Sequence, residues 1–237
     1  MEGLGILMVF AAAGYLIGSV SFARIIFAVK RPGEELVRIR SVSSDGEVAI
    51  ISHAIGATNV MMAMGKKWGL TTMALDLLKA FIPMVLIRIF YPDESYHLLF
   101  GIFVLLGHLW PVWHRFQGGG GNSTVLGMML AASPLGFLVT QTIGMMIGMA
   151  VPAITFWAGV GLSIPWFILT KGIASHETYF ALSMTFFYLL GQSPEIVQYL
   201  RHMKAGHVFD MKLVITKMKQ ASKSETVENE TEKKGNV

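Results

Sequence analysis

The stretch HLLFGIFVLLGHLWPVWHRFQGGGGNSTVLGMMLAAS, residues 97–133, decides how this chain is built. Its first part, 97–113, is apolar and reads as a helix crossing a bilayer, where a span takes roughly 17–25 residues. Four consecutive glycines follow, Gly118, Gly119, Gly120 and Gly121. Such a run lets the backbone approach a ligand closely and adopt positive φ. It leads straight into a second apolar segment, 122–133, which is too short to span alone. A glycine-rich turn feeding a short helix is the generic anion cradle, because unpaired amides and the helix dipole point at the ligand. A half-helix beginning inside the protein would aim that dipole at a buried group, as broken transporter helices do. A flexible hinge is the competing reading of the same glycines.

The flanking sequence has the same character. Of 237 residues, 53% are hydrophobic and 14% charged, against about 25% charged in soluble domains. Apolar segments lie at 4–29, 69–91, 97–113, 122–133, 134–150, 152–170 and 177–199, with Pro134 and Pro152 marking boundaries. The expected fold is an all-α integral membrane protein of about seven transmembrane helices, the half-helix included. With no basic region ahead of it and no cleavage pattern, the first segment reads as a retained span. The absence of cysteine excludes disulfides and thiolate chemistry, and no metal-ligand spacing is present.

Basic residues set the orientation. Lys30, Arg31, Arg38, Arg40, Lys66 and Lys67 fall between the first two long spans, Arg115 follows the third, and eight more lie in the tail from Arg201 to Lys234. That side is expected to be cytoplasmic, with the N-terminus outside. One membrane domain is expected over 1–200, with a cytoplasmic loop at about 30–58. A basic tail follows over 201–237, disordered after about 220 because it lacks residues that could pack.

Three polar islands interrupt the apolar sequence. Gly18-Ser19-Val20-Ser21-Phe22 lies in the first span, where small residues allow close helix packing; alternatively Ser19 and Ser21 line a polar cavity. Ser52-His53-Ala54-Ile55-Gly56-Ala57-Thr58-Asn59 precedes Gly65-Lys66-Lys67. It reads either as an anion site at a helix start or as ordinary capping by Thr58 or Asn59. The third island is the glycine run, preceded by Gly107-His108-Leu109-Trp110-Pro111. Taken alone, His108 reads as a buried, hydrogen-bonded histidine. Asp76 and Lys79 share a helix face three residues apart and read as a structural pair.

In this order the islands resemble the acyl-phosphate-dependent glycerol-3-phosphate acyltransferases of bacterial membranes, the PlsY family. Gly18-Ser19-Val20-Ser21-Phe22 is similar to the family's first motif. Gly56-Ala57-Thr58-Asn59-Val60, Gly65-Lys66-Lys67-Trp68-Gly69 and Leu75-Asp76-Leu77-Leu78-Lys79 are similar to its second, and Gly107-His108-Leu109-Trp110-Pro111 through Phe116-Gln117-Gly118-Gly119 to its third. The resemblance covers roughly residues 4–200. It implies a seven-helix bundle with a site open to the cytoplasm, in the bacterial inner membrane. The implied reaction moves an acyl group from acyl-phosphate to the 1-hydroxyl of sn-glycerol 3-phosphate. The product is lysophosphatidic acid for phospholipid synthesis. Neither a metal nor coenzyme A is implied, and no nucleic acid. Membrane lipid is an implied partner, and other phospholipid-synthesis enzymes are candidate partners. Carried onto this chain, Ser52, Asn59 and His108 become the catalytic candidates. The substrate-binding candidates are Ser19, Arg38, Arg40, Gly56, Thr58, Lys66, Lys67, Gly118, Gly119, Gly120, Gly121 and Asn122.

The departures are losses of positive charge and of polar side chains. Gly120 stands where the family has the lysine of its glycine loop, Gln117 where it has the preceding lysine, and Gly191-Gln192-Ser193-Pro194-Glu195 where it has a histidine and an asparagine. Three functional readings follow. In the first, the chain is an active acyltransferase whose missing charge comes from Arg38, Arg40, Lys66 or Lys67. In the second, it is a catalytically impaired relative that binds a phosphorylated lipid precursor. In the third, it is a small-anion transporter, a reading weakened by the lack of internal repeats.

Overall fold

The structure, a computed structural model, describes residues 2–34, 36, 40–42, 49–51, 54–150 and 154–205. Arg38, Ser52 and the expected disordered tail lie outside them. The helices are α1 (Glu2–Gly18), α2 (Phe22–Lys30), α3 (Ala57–Met64), α4 (Lys66–Phe90), α5 (Tyr96–Leu109), α6 (Asn122–Ala132), α7 (Pro134–Ala150), α8 (Thr155–Gly161), α9 (Ser163–Lys171) and α10 (His176–Lys204). At 1.5 Å per residue, the 25-residue α4 is about 37 Å long and the 11-residue α6 only about 16 Å.

Two local differences from the sequence reading have physical causes. The segment 4–29 is not one helix. It breaks after Gly18, and Ser21, in extended conformation, precedes α2. The loop at 30–58 also carries one short two-stranded ladder, an addition to an otherwise all-helical fold of the expected class. Strand β1 (Arg40–Val42) pairs antiparallel with β2 (Ala49–Ile51), with Arg40 opposite Ile51 and Val42 opposite Ala49. Val42, Ile50 and Ile51 are β-branched residues that favour this pleat.

The core lies where α4, α5, α6 and α10 meet. Met84, Val104, Leu105, Val125, Met128, Met184 and Tyr188 are fully buried there. α6 is enclosed by the bundle, with Thr124, Val125, Gly127, Met128, Met129 and Ala131 all buried. Helix α1 packs on α5 through glycine. A Cβ at Gly18 would overlap the Val104 carbonyl and one at Gly107 the Tyr15 carbonyl, so only glycine permits this approach.

The outer surface is apolar. Leu4, Met8 and Val9 on α1, Leu135 and Met145 on α7, Leu169 on α9 and Phe186 on α10 are each more than 60% exposed. So much exposed hydrocarbon suits lipid rather than water. Two helical stretches, Gly3–Lys30 and Tyr96–His114, are long and apolar enough to cross a membrane by themselves. The protein is membrane-bound and essentially all-helical.

Candidate active site

The site is assembled by a chain reversal at the end of α5. A 3-10 turn (Val112–His114) follows Pro111, and Arg115 and Phe116 then both take left-handed backbone, with φ of 51° and 59°. Non-glycine residues enter that region at a cost. The reversal returns the glycine run against the helix it has just left. Gly119 N–H donates to the His108 carbonyl (3.0 Å), and Gly118 is packed so tightly on the His108 and Leu109 carbonyls that no side chain fits. The Gly118 carbonyl accepts from Ile55 N–H (2.9 Å). The Gly120 carbonyl accepts from the Gln192 side-chain amide of α10. Gly121, with φ of +85°, turns the chain into α6. Three elements therefore clamp the loop: α5, the segment entering α3, and α10.

What the clamp leaves open is a set of donors. Val125 N–H bonds to the Gly121 carbonyl (2.9 Å) and begins the α6 ladder. The amides of Asn122, Ser123 and Thr124 precede it, at the positive end of the helix. Thr124 Oγ1 is fully buried and has no partner among the described residues. Asn122 Oδ1 accepts from the buried Tyr188 hydroxyl (2.5 Å), which fixes the first residue of the helix.

Behind the loop lies a buried ionic cluster. Lys79 Nζ stands 2.9 Å from Asp76 Oδ1, an ion pair by distance, although that oxygen accepts no well-directed hydrogen bond. The same ammonium donates to the Val20 carbonyl (2.8 Å) and the Gly18 carbonyl (3.1 Å), the groups set free where α1 breaks. It also lies 2.9 Å from His108 Nδ1. The far edge of that imidazole faces the glycine loop, since a Cβ at Gly119 would overlap Nε2.

The other residues singled out from sequence fall in several places. Asn59 is buried, and its Oδ1 accepts from Gly56 N–H (2.9 Å), which closes the start of α3 just after the Ile55–Gly118 link. Thr58 is exposed on α3. Ser19 is fully buried and donates to the Tyr15 carbonyl (2.8 Å). Lys66 and Lys67 are exposed at the start of α4. Lys67 Nζ lies 5.6 Å from the Trp68 ring centroid, and Lys30 Nζ lies 4.6 Å from it. Arg40 is placed by its backbone alone, in β1, across from the strand that leads toward Ala54 and Ile55. His108 and the residues 118–122 come together, and Gly56 joins them through Ile55. Among the described residues no group of three or more potential metal ligands forms.

Gln192 and Tyr188 are not among the site residues that the sequence offers, being a neutral amide and a phenol in the middle of the long helix α10. The only signal was that Gln192 falls where the resemblance expects polar residues. Lys79 stands out in the sequence by its depth within an apolar span, and its partners beyond Asp76 come from the α1–α2 break and α5.

Fold and site together define a helical membrane protein with a clamped glycine loop at the mouth of an enclosed half-helix. The family model described as glycerol-3-phosphate acyltransferase matches residues 8–202, and the chain belongs to that family. Its relatives include the glycerol-3-phosphate acyltransferase of Aquifex aeolicus (strain VF5), 39% identical over 129 residues, which are 54% of this chain and 59% of that protein. The corresponding protein of Herminiimonas arsenicoxydans is 39% identical over 128 residues, 52% of this chain and 57% of that one. The chain thus spans less than two thirds of the length of the curated relatives it matches. Among solved structures it resembles PlsY (YgiH), an integral membrane glycerol 3-phosphate acyltransferase. With the glycerol 3-phosphate form the TM-score is 0.69 at 24% identity, covering 89% of this chain and 98% of that one. With the lysophosphatidic acid form it is 0.68 at 22%. At these identities the likeness carries the fold.

Proposed function

We propose that this protein transfers an acyl group from acyl-phosphate to the 1-hydroxyl of sn-glycerol 3-phosphate, forming lysophosphatidic acid. The observation that carries the reading is the clamped 118–121 loop, opening onto the free first-turn amides of α6. Both substrates are phosphorylated, and such amides bind phosphate oxygens without a side-chain cation. Family membership supports the same chemistry. Acyl-phosphate is already an activated donor, so the site needs to orient two anions and stabilise developing charge. The substrate hydroxyl proton passes to a phosphate oxygen of the donor, so no side-chain nucleophile is needed. In this reading His108 and the residues 118–122 contact phosphate, and Asn59 and Gly56 hold the loop through Ile55. Ser19 supports the break after α1, and Thr58, Lys66 and Lys67 border the entrance from the cytoplasm, while the roles proposed for Arg38, Arg40 and Ser52 rest on the sequence resemblance alone. The protein is placed as a multi-pass component of the bacterial inner membrane, N-terminus outside and tail inside, with 1–200 as its membrane domain.

The first test is direct. Purified protein in detergent, given palmitoyl-phosphate and labelled glycerol 3-phosphate, is expected to form labelled lysophosphatidic acid. A folded protein that binds glycerol 3-phosphate but yields no product would overturn acyl transfer. It would leave the second reading, a binding relative, which the neutral Gln192–Gly120 contact favours.

A gain of function is also expected. Gly120 has no positive φ, and a Cβ there meets chiefly the flexible end of Gln192 (2.9 Å) and Ala54 Cβ (3.7 Å). It is the one glycine of the run able to carry a side chain once Gln192 is trimmed. Gly120→Lys combined with Gln192→Ala adds a cation beside the cradle. A hydrogen bond to a charged group contributes about 1.5–3 kcal/mol, so glycerol 3-phosphate affinity by calorimetry is expected to rise roughly tenfold or more. Unchanged affinity in a folded variant would show that phosphate does not sit beside Gly120.

A further inference from the structure

The buried cluster behind the glycine loop has a direction that the acyl-transfer reading leaves unused. An ammonium donates three hydrogen bonds and accepts none. Lys79 Nζ stands 2.9 Å from His108 Nδ1, and its other two N–H groups go to the carbonyls of Gly18 and Val20, while Asp76 Oδ1 pairs with the ammonium by charge at 2.9 Å and stays 3.7 Å from Nδ1, beyond hydrogen-bond reach. A protonated Nδ1 would set two N–H groups head to head at that distance, so Nδ1 presents its lone pair. The single proton of the ring then sits on Nε2, since the hydrogen bond at one imidazole nitrogen decides which nitrogen carries it. Nε2 is the edge turned to the glycine loop, against the Cα hydrogens of Gly119. No described residue accepts a hydrogen bond from it. The His108 backbone is tied to the same loop, because its carbonyl accepts from Gly119 N–H (3.0 Å).

We infer that Lys79 is a positioning residue that holds His108 in the Nε2–H tautomer, so that this N–H donates to an oxyanion seated on the 118–121 loop. The ammonium polarises the imidazole from behind, and its charge acts on the ligand through a neutral ring. Part of the field that a lysine at position 120 would supply thus comes from the opposite side. The identity of the oxyanion as a substrate phosphate rests on the acyltransferase reading, whereas the tautomer does not.

The test is long-range proton–nitrogen correlation on 15N-labelled protein in detergent micelles, which reports the protonated nitrogen of each imidazole. The chain has seven histidines, so His108→Gln assigns the resonance. The wild-type ring is expected as Nε2–H. In Asp76→Asn/Lys79→Met, which removes the buried pair as a unit, the ring is expected to become Nδ1–H or a mixture. Inorganic phosphate and glycerol 3-phosphate, titrated separately, are each expected to move the Nε2–H proton downfield in the wild type. The Kd for glycerol 3-phosphate is expected to weaken about tenfold in the double variant, as for loss of a charge-assisted donor. A wild-type Nδ1–H tautomer overturns the inference. So does a tautomer unchanged in the double variant, or an Nε2–H resonance that neither phosphate moves. Protein that meets all four expectations yet makes no lysophosphatidic acid would sink the acyl-transfer reading alone.

Discussion

Gly119→Ala is expected to lower kcat/KM for acyl transfer by about 10²–10³, the range for losing one preorganised oxyanion donor. The cause is steric and local. A methyl at position 119 occupies the place of His108 Nε2 and also approaches Cε1 at 2.7 Å. The ring cannot retreat, because Lys79 stands 2.9 Å behind its other nitrogen. The loop cannot retreat either, because its flanking carbonyls are held by Ile55 N–H and by the Gln192 amide. Overpacking of this kind costs about 1–3 kcal/mol, so a lowered thermal midpoint accompanies the lost activity. Gly5→Ala is the control, since a Cβ there meets nothing within 4 Å. His108→Ala removes the obstacle, so the Gly119→Ala and His108→Ala effects are expected to be strongly non-additive. Simple additivity in that cycle, or near-normal activity of Gly119→Ala, would mean that ring and loop do not share one ligand.

The parts of this architecture legible in the sequence are those that punctuation marks. The glycine run and Pro134 delimit α6, and long apolar runs delimit α4, α5 and α10. The parts that were hidden depend on partners distant in the chain. Gly18-Ser19-Val20-Ser21 is compatible with continuous helix. The break there is stable because a lysine about sixty residues later donates to the Gly18 and Val20 carbonyls. Asp76 and Lys79 were readable as a pair from their spacing, and they lie 2.9 Å apart. That Lys79 also serves His108 could not be read, because nothing in one sequence sets α4 beside α5 in a particular rotation. The β1–β2 ladder has only three residues per strand, too few for an alternating pattern to stand out. Lys66 and Lys67 drew attention by their charge, yet Lys67 and Lys30 flank Trp68 at an exposed helix start. Gln192, which carries no charge, is the side chain that reaches Gly120.

Lys79→Met is expected to be the most damaging single substitution outside the glycine loop. Removing one partner of a buried ion pair costs about 3–5 kcal/mol, because the other charge stays buried and uncompensated. Here that charge is Asp76, which is 3% exposed. The substitution also strips the donor from two carbonyls at the α1–α2 break, and a buried acceptor left unpaired costs about 1–3 kcal/mol. Folded, monodisperse protein is therefore expected to be largely lost, as read by size-exclusion chromatography and a thermal midpoint in detergent. Asp76→Asn/Lys79→Met removes the stranded charge but still leaves the two carbonyls and His108 Nδ1 without the ammonium, so its midpoint should fall between those of Lys79→Met and the wild type. Activity should not recover with it, because the ammonium that closes the break is also the one that orients His108. A Lys79→Met protein as stable as the wild type would show that water or lipid satisfies those carbonyls without the lysine. A double variant restored in both fold and activity would separate the break from the cradle and confine Lys79 to the scaffold. Stability returning without activity is the outcome that joins them. It would mean that one buried charge both stabilises an interrupted span and sets the chemistry of a loop about forty residues further along the chain.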